Sequence, residues 1–144
     1  MKKLFALFLT MTMIITMTAC SSSDNKDNKE SSYKVAIVQQ MDHASLDEIR
    51  IAIEKELEAK AENLGITIEY KVFNGQNDST VLNQIGSQVV SDGYDVIIPI
   101  ATLAAQSMLA ASEDEIPIVF AAISDPVGAG LVESLDNPDS TVTG

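Results

Sequence analysis

A chain of 144 residues with a formal net charge of −12, one cysteine and one histidine excludes several classes of protein at once. One thiol permits neither an internal disulfide framework nor a cysteine-rich zinc site, and the sole histidine, His43, cannot build a His-based metal cluster. The acidic balance disfavours nucleic acid, whose binding draws on Lys and Arg to neutralise phosphates, and its ordinary meaning is solubility.

Lys2 and Lys3 precede an uncharged apolar run from Leu4 to Thr18. That run is too short to span a bilayer comfortably and has the length of a signal h-region. It ends in Met17-Thr18-Ala19-Cys20, which is similar to the lipobox where bacterial prolipoproteins are cleaved, with Met17 where Leu is usual. Residues 1–19 are therefore expected to be a lipoprotein signal peptide and Cys20 its lipidation site, placing the chain on the extracytoplasmic face of the cell membrane. An ordinary secretory signal with an incidental Cys is the alternative. Ser21 to Ser32 reads SSSDNKDNKESS. Without an apolar residue it cannot offset the entropy of ordering, so residues 20–32 are expected to form a disordered tether.

From Tyr33 the pattern alternates between short apolar runs and longer helical ones. Tyr33 to Val38 is β-branched and nearly continuously apolar, as expected of a strand buried on both faces. Ser45-Leu46-Asp47-Glu48 has capping-box spacing, and Leu46, Ile49, Ile53, Leu57, Ala61 and Leu64 then form one helical stripe ending at Gly65. Ile66, Ile68, Tyr70 and Val72 alternate with polar residues, predicting a second strand nearer an edge. After the turn Asn74 to Asp78, a helix carries Val81, Leu82, Ile85, Val89 and Val90 and stops near Asp92-Gly93. Gly86 inside it is unfavourable in isolation and suits close packing. Val96 to Ile100 is a third strand, with Pro99 expected near its end. Thr102 is expected to cap a third helix through Ala111, and Ile116 to Ala121 is a fourth strand. This alternation implies right-handed βαβ units and a three-layer, Rossmann-like α/β domain with a parallel sheet of strand order 2-1-3-4.

Open parallel sheets bind ligands outside the carboxyl ends of their strands. Four segments meet there: Gln39 to His43, Phe73 to Asp78, Ala101 to Ala104, and Ala122 to Val127. Helix N-termini on that edge offer free N–H groups to a carboxylate or phosphate. Thr102 and Ser124 stand at such positions, either as ligand contacts or as N-caps only. Signals for catalysis are poor. His43 reads as a loop-structuring donor, Ser124-Asp125 lacks a nucleophile elbow and a partner His, and neither a dinucleotide fingerprint nor a Walker A loop is present. No cofactor is expected.

Five segments carry a family resemblance: Val35-Ala36-Ile37-Val38-Gln39, His43-Ala44-Ser45-Leu46-Asp47, Asn74-Gly75-Gln76-Asn77-Asp78, Ile100-Ala101-Thr102-Leu103-Ala104-Ala105-Gln106, and Ser124-Asp125-Pro126-Val127-Gly128-Ala129-Gly130-Leu131-Val132. In order and spacing the chain resembles the substrate-binding lipoproteins of bacterial ABC transporters, of the tryptophan/tyrosine (TrpX-like) type. The Ala-Thr-x-x-Ala-Gln and Ser-Asp-Pro-Val-x-Ala-Gly-Leu-Val segments are the specific ones. Ala44 stands where the family often has Pro after the His, and Ser124 where Thr often precedes Asp-Pro; Ser keeps the hydroxyl.

The resemblance implies the first lobe of a periplasmic-binding-protein fold over residues 33–144. Such receptors close two lobes on a small solute and deliver it to a membrane permease. This chain is expected to comprise signal, tether and first lobe only, as a fragment or the product of a truncated gene, and the lone lobe would leave a solute half solvated. The implied solute is an aromatic or other hydrophobic amino acid. Thr102 and Ser124 would meet its carboxylate, Asp125 its ammonium group, and Asn74 and Gln40 its polar end. The rival readings are a sugar- or nucleoside-binding lipoprotein, for whose ring stacking no Trp is available, and an exported α/β enzyme.

Overall fold

A computed structural model of the chain describes residues 31–113, 115–136 and 141–144. The expected signal peptide, Cys20 and the tether up to residue 30 lie outside the described residues. Among the described residues five strands and three helices follow in the order β1 (Ser32–Gln39), α1 (Ala44–Leu64), β2 (Thr67–Asn74), α2 (Ser79–Ser91), β3 (Val96–Ile100), α3 (Thr102–Ser112), β4 (Ile118–Val119) and β5 (Val142–Thr143). All pairings are parallel, in the order β2-β1-β3-β4-β5. The expected order 2-1-3-4 is present, extended by β5 at the far edge. β1 starts at Ser32, one residue inside the segment read as tether.

The period-two alternation of the strands sorts the core into two layers. Ala36, Val38, Phe73 and Ile97 face one way and pack with Leu82, Ile85 and Val89 of α2 and Ala104 and Met108 of α3. Val35, Ile37 and Ile100 face the other way, under Leu46, Ile49, Ile53 and Leu57 of α1. β1 lies between two neighbours and under both layers, so Ala36, Ile37 and Val38 are fully buried. β2 is an edge strand, as its alternation predicts. Gly86 allows α2 to approach α3 closely: a Cβ there would lie 2.6 Å from the Ala111 Cβ.

α1 departs from expectation at both ends. Its cap is His43, whose Nδ1 accepts from the Ser45 N–H, so the helix begins before Ser45 and the Ser45–Glu48 capping box does not form. His43 therefore structures its loop as an acceptor rather than as a donor. At the other end Gly65 caps the helix in the left-handed conformation, as expected. Leu64, read as part of the apolar stripe, is 66% exposed. Twenty-one helical residues extend about 31 Å, against about 26 Å for an eight-residue strand, so the last turn overhangs the sheet.

β4 is shorter than the six residues expected. Ile97 N–H donates to the Pro117 carbonyl and Ala101 N–H to the Ala121 carbonyl. The donor between them would be residue 99, a proline with no N–H, and regular pairing shrinks to Ile118–Val119 and an isolated bridge between Ile100 and Ala121. On the α1 face, Ile53 and Leu57 with Ile98, Val119 and Ala121 line an apolar groove of 240 Å³.

Candidate functional site

Parallel register brings the four expected segments to one edge. Gln39 pairs with both Asn74 and Ile100, and Ile100 bridges to Ala121, so the residues after β1, β2, β3 and β4 emerge side by side. The buried Gln39 anchors this edge from beneath: its Nε2 donates to the Met41 carbonyl at 2.7 Å and to Asp47 Oδ1 at 2.8 Å. The first strand is thereby tied to the first turn of α1.

Gln40 and Asn74 are half-buried and engaged within the protein. Gln40 Oε1 accepts from the Leu103 N–H and its Nε2 donates to Asn77 Oδ1. Asn74 Oδ1 accepts from the Gln76 N–H at 2.8 Å, closing a local turn, and its Nδ2 donates to Asp42. The turn ends at Asp78, whose Oδ1 caps α2 by accepting from the Thr80 and Val81 N–H groups. Those two bonds hold the Asp78 carboxyl below its ordinary range.

Thr102 and Ser124 are exposed, and no hydrogen bond among the described residues engages either hydroxyl. Neither is an N-cap. Thr102 is the first helical residue of α3, and the cap position belongs to Ala101, which has no acceptor in its side chain. Asp125, rather than Ser124, organises the last segment. Its Oδ1 accepts from the Gly128 N–H at 2.8 Å and its carbonyl from the Ala129 N–H at 3.0 Å, while Oδ2 has no hydrogen-bond partner among the described residues. Gly128 lets the carboxylate lie close against the turn: a Cβ there would sit 2.2 Å from Asp125 Oδ2, and the side chain would have to shift. Pro126, Leu131 and Val132 are buried and root this turn in the core.

Composition and spacing do not reveal the backbone conformation of the edge. Gln76, Asn77, Ala101 and Ala122 have positive φ without being glycine, and all four lie there. Ala101, at φ 77° and ψ 161°, occupies a region that is essentially glycine-only. Such strain persists only where neighbours fix it, and it gathers where a protein holds groups for a ligand.

The Thr102 and Ser124 hydroxyls and the Asp125 carboxylate thus stand along the carboxyl ends of a parallel sheet, the edge where open α/β sheets take their ligands. The chain belongs to the ABC transporter substrate binding protein family, whose profile matches residues 34–144. It is 38% identical over 152 residues to a curated tyrosine-binding protein of Clostridioides difficile (strain R20291), covering 99% of this chain and 44% of that one. Among solved structures it resembles a conserved domain protein of Vibrio cholerae, with TM-score 0.71 and 38% identity over 78% of this chain and 38% of the other. It also resembles an ABC domain in complex with L-Trp from Streptococcus pneumonia, with TM-score 0.70 and 34% identity over 79% of this chain and 38% of that one. The chain thus spans less than half the length of these relatives.

Proposed function

We propose that the chain is the first lobe of an extracytoplasmic solute-binding lipoprotein that clamps an aromatic or other hydrophobic amino acid and delivers it to an ABC permease. The observation that carries this reading is the pairing of opposite chemistries on one edge. Thr102, at the strained start of α3, offers a hydroxyl and the positive end of the helix to a carboxylate. Asp125 offers an oxygen to an ammonium group. Ser124 lies beside it as a second hydroxyl, and Asn74 adds to the polar wall, with Gln40 behind it bonded to Leu103 and Asn77. An α-amino acid carries both charges on one carbon, which suits a rim that presents both complements.

The names of the relatives support the solute class, since one is a tyrosine-binding protein and another holds L-Trp. The chain covers less than half of each of these relatives, and hinge-bending receptors complete their site on closure of a second lobe. Cys20 would be the lipid anchor holding the lobe near its permease, with the polar tether as spacer. No described helix is long and apolar enough to cross a membrane.

The test is calorimetric titration of the whole gene product, from Ser21 onward, with L-tyrosine, L-tryptophan, L-phenylalanine, glucose and uridine. Binding of the aromatic amino acids alone supports the proposal. Preference for the sugar or the nucleoside moves the protein to the rival receptor class, and binding of none of the five overturns it. Replacement Cys20→Ser in the expressing cell should release the protein from the membrane fraction; retention there would refute the anchor.

A further inference from the structure

Gln40 sits immediately after β1 and is bonded to three other segments of the edge. Its N–H donates to the Ile100 carbonyl at 3.2 Å, and its own carbonyl accepts from the Asn77 N–H at 2.9 Å. Its side chain repeats the pattern, with Oε1 accepting from the Leu103 N–H at 3.0 Å and Nε2 donating to Asn77 Oδ1 at 2.8 Å. A backbone N–H can only donate, so the atom facing Leu103 must be the amide oxygen. The nitrogen is then turned toward Asn77, and both ends of the amide are fixed by what surrounds them.

The Leu103 bond does something a local cap cannot. The first N–H groups of a helix need outside acceptors, which usually come from the side chain just before the helix. α3 has only the methyl group of Ala101 there. Its acceptor arrives from a residue 63 positions earlier, just past the end of β1. A local cap would secure the helix to itself; this one secures the helix to β1. The same side chain holds Asn77, whose left-handed backbone (φ 55°) is uncommon for a non-glycine residue.

We propose that Gln40 is a positioning residue for solute binding, acting through Leu103 and Asn77 rather than by touching the solute. It locks the first turn of α3, and with it Thr102, to the β2–α2 turn as one rigid rim. The inference rests on the solute-binding reading above. Loss of the amide would let the first turn of α3 fray and the Asn77 turn relax, so that the groups meeting the solute must be ordered at binding.

The test compares wild type, Gln40→Met and Gln40→Glu in the whole gene product. Met matches the length without polar atoms, whereas Glu keeps the acceptor for Leu103 and lets the Asn77 amide turn to donate. Two quantities are read: L-tryptophan affinity and the hydrogen-exchange rate of the Leu103 amide. Gln40→Met is expected to weaken binding by about tenfold and to speed Leu103 exchange by about as much. Gln40→Glu is expected to keep Leu103 protected and to bind within about threefold of wild type. Wild-type affinity in Gln40→Met overturns the proposal. So does a loss in Gln40→Glu as large as that in Gln40→Met at about 0.5 M salt, where repulsion between the new carboxylate and the solute is screened. Should Gln40→Met fail to fold, Gln40→Glu decides alone: affinity within about threefold of wild type with Leu103 protected supports the proposal, and a loss of about tenfold with Leu103 still protected overturns it. If wild type itself binds no aromatic amino acid, the functional reading has failed, and the exchange rates still report whether Gln40 secures α3.

Discussion

The Gln106 side-chain amide donates to the Ala129 carbonyl at 2.9 Å, joining α3 to the turn that follows Asp125. The two most distinctive sequence segments, Ala101 to Gln106 and Ser124 to Val132, are therefore one structural unit. Gln106 lies on the second turn of α3 and is exposed, so its role is attachment rather than core packing. Gln106→Leu removes that bond at nearly constant volume. It is expected to lower stability by about 1 kcal/mol and to raise proteolytic nicking within residues 125–130. Unchanged nicking in limited proteolysis would show that the turn is held without it.

Ala101 supplies a second expectation. Its backbone occupies a glycine-only region, a conformation that costs on the order of 1–3 kcal/mol for other residues. Ala101→Gly removes that strain at a cost of about 1 kcal/mol in unfolded-chain entropy, so its melting temperature should equal or exceed that of wild type. Ala101→Val adds β-branching at the same φ and should lower it. A melting series in which Gly is the least stable of the three would refute the assigned conformation.

How much of this was legible beforehand follows from the range of the forces involved. Strands, helices and their order are set by short-range periodicity and by Gly65 and Gly93 at helix ends, and these are readable residue by residue. The strand-carboxyl edge follows from parallel topology alone, so Gln40, Asn74, Thr102, Ser124 and Asp125 could be placed on it. Their partners could not. The cap of α3 comes from Gln40, and no local pattern encodes a bond across 63 residues. The Ser45–Glu48 spacing predicted a capping box, but the His43 ring took the role because the helix starts earlier. The brevity of β4 has its cause in Pro99, on a neighbouring strand.

Gly86 lies in α2, where alanine would gain about 1 kcal/mol of helix propensity. The methyl group would stand 2.6 Å from the Ala111 Cβ, an atom with no rotamer by which to retreat. Overpacking of this kind costs about 1–3 kcal/mol, so the steric cost should match or exceed the gain. Gly86→Ala is expected to lower the denaturation midpoint, and the double variant Gly86→Ala with Ala111→Gly to recover part of it. A midpoint raised by Gly86→Ala alone would show that α2 and α3 are free to part.

Asp78 gives the account a pH dependence. The N–H bonds from Thr80 and Val81 hold its carboxyl below the ordinary value of 3.8. A depressed folded-state value contributes stability that is present above the unfolded value and lost as pH falls through the folded one. The melting-temperature difference between wild type and Asp78→Ala should therefore be full at neutral pH and shrink on the acid side of 3.8. A difference that stays constant through that range, measured by calorimetry against pH, would mean that the carboxylate does not cap α2.

The central claim is that an amino acid is held by Thr102 and Asp125 at the carboxyl ends of the strands. The most direct test is the L-tryptophan affinity of the whole gene product carrying Thr102→Ala and Asp125→Ala, singly and together. Each substitution should weaken binding by about tenfold, as expected for loss of a hydrogen bond to a charged group, with little change in melting temperature. Affinity unchanged in both single variants and in the pair, with the wild type binding normally, would contradict the account.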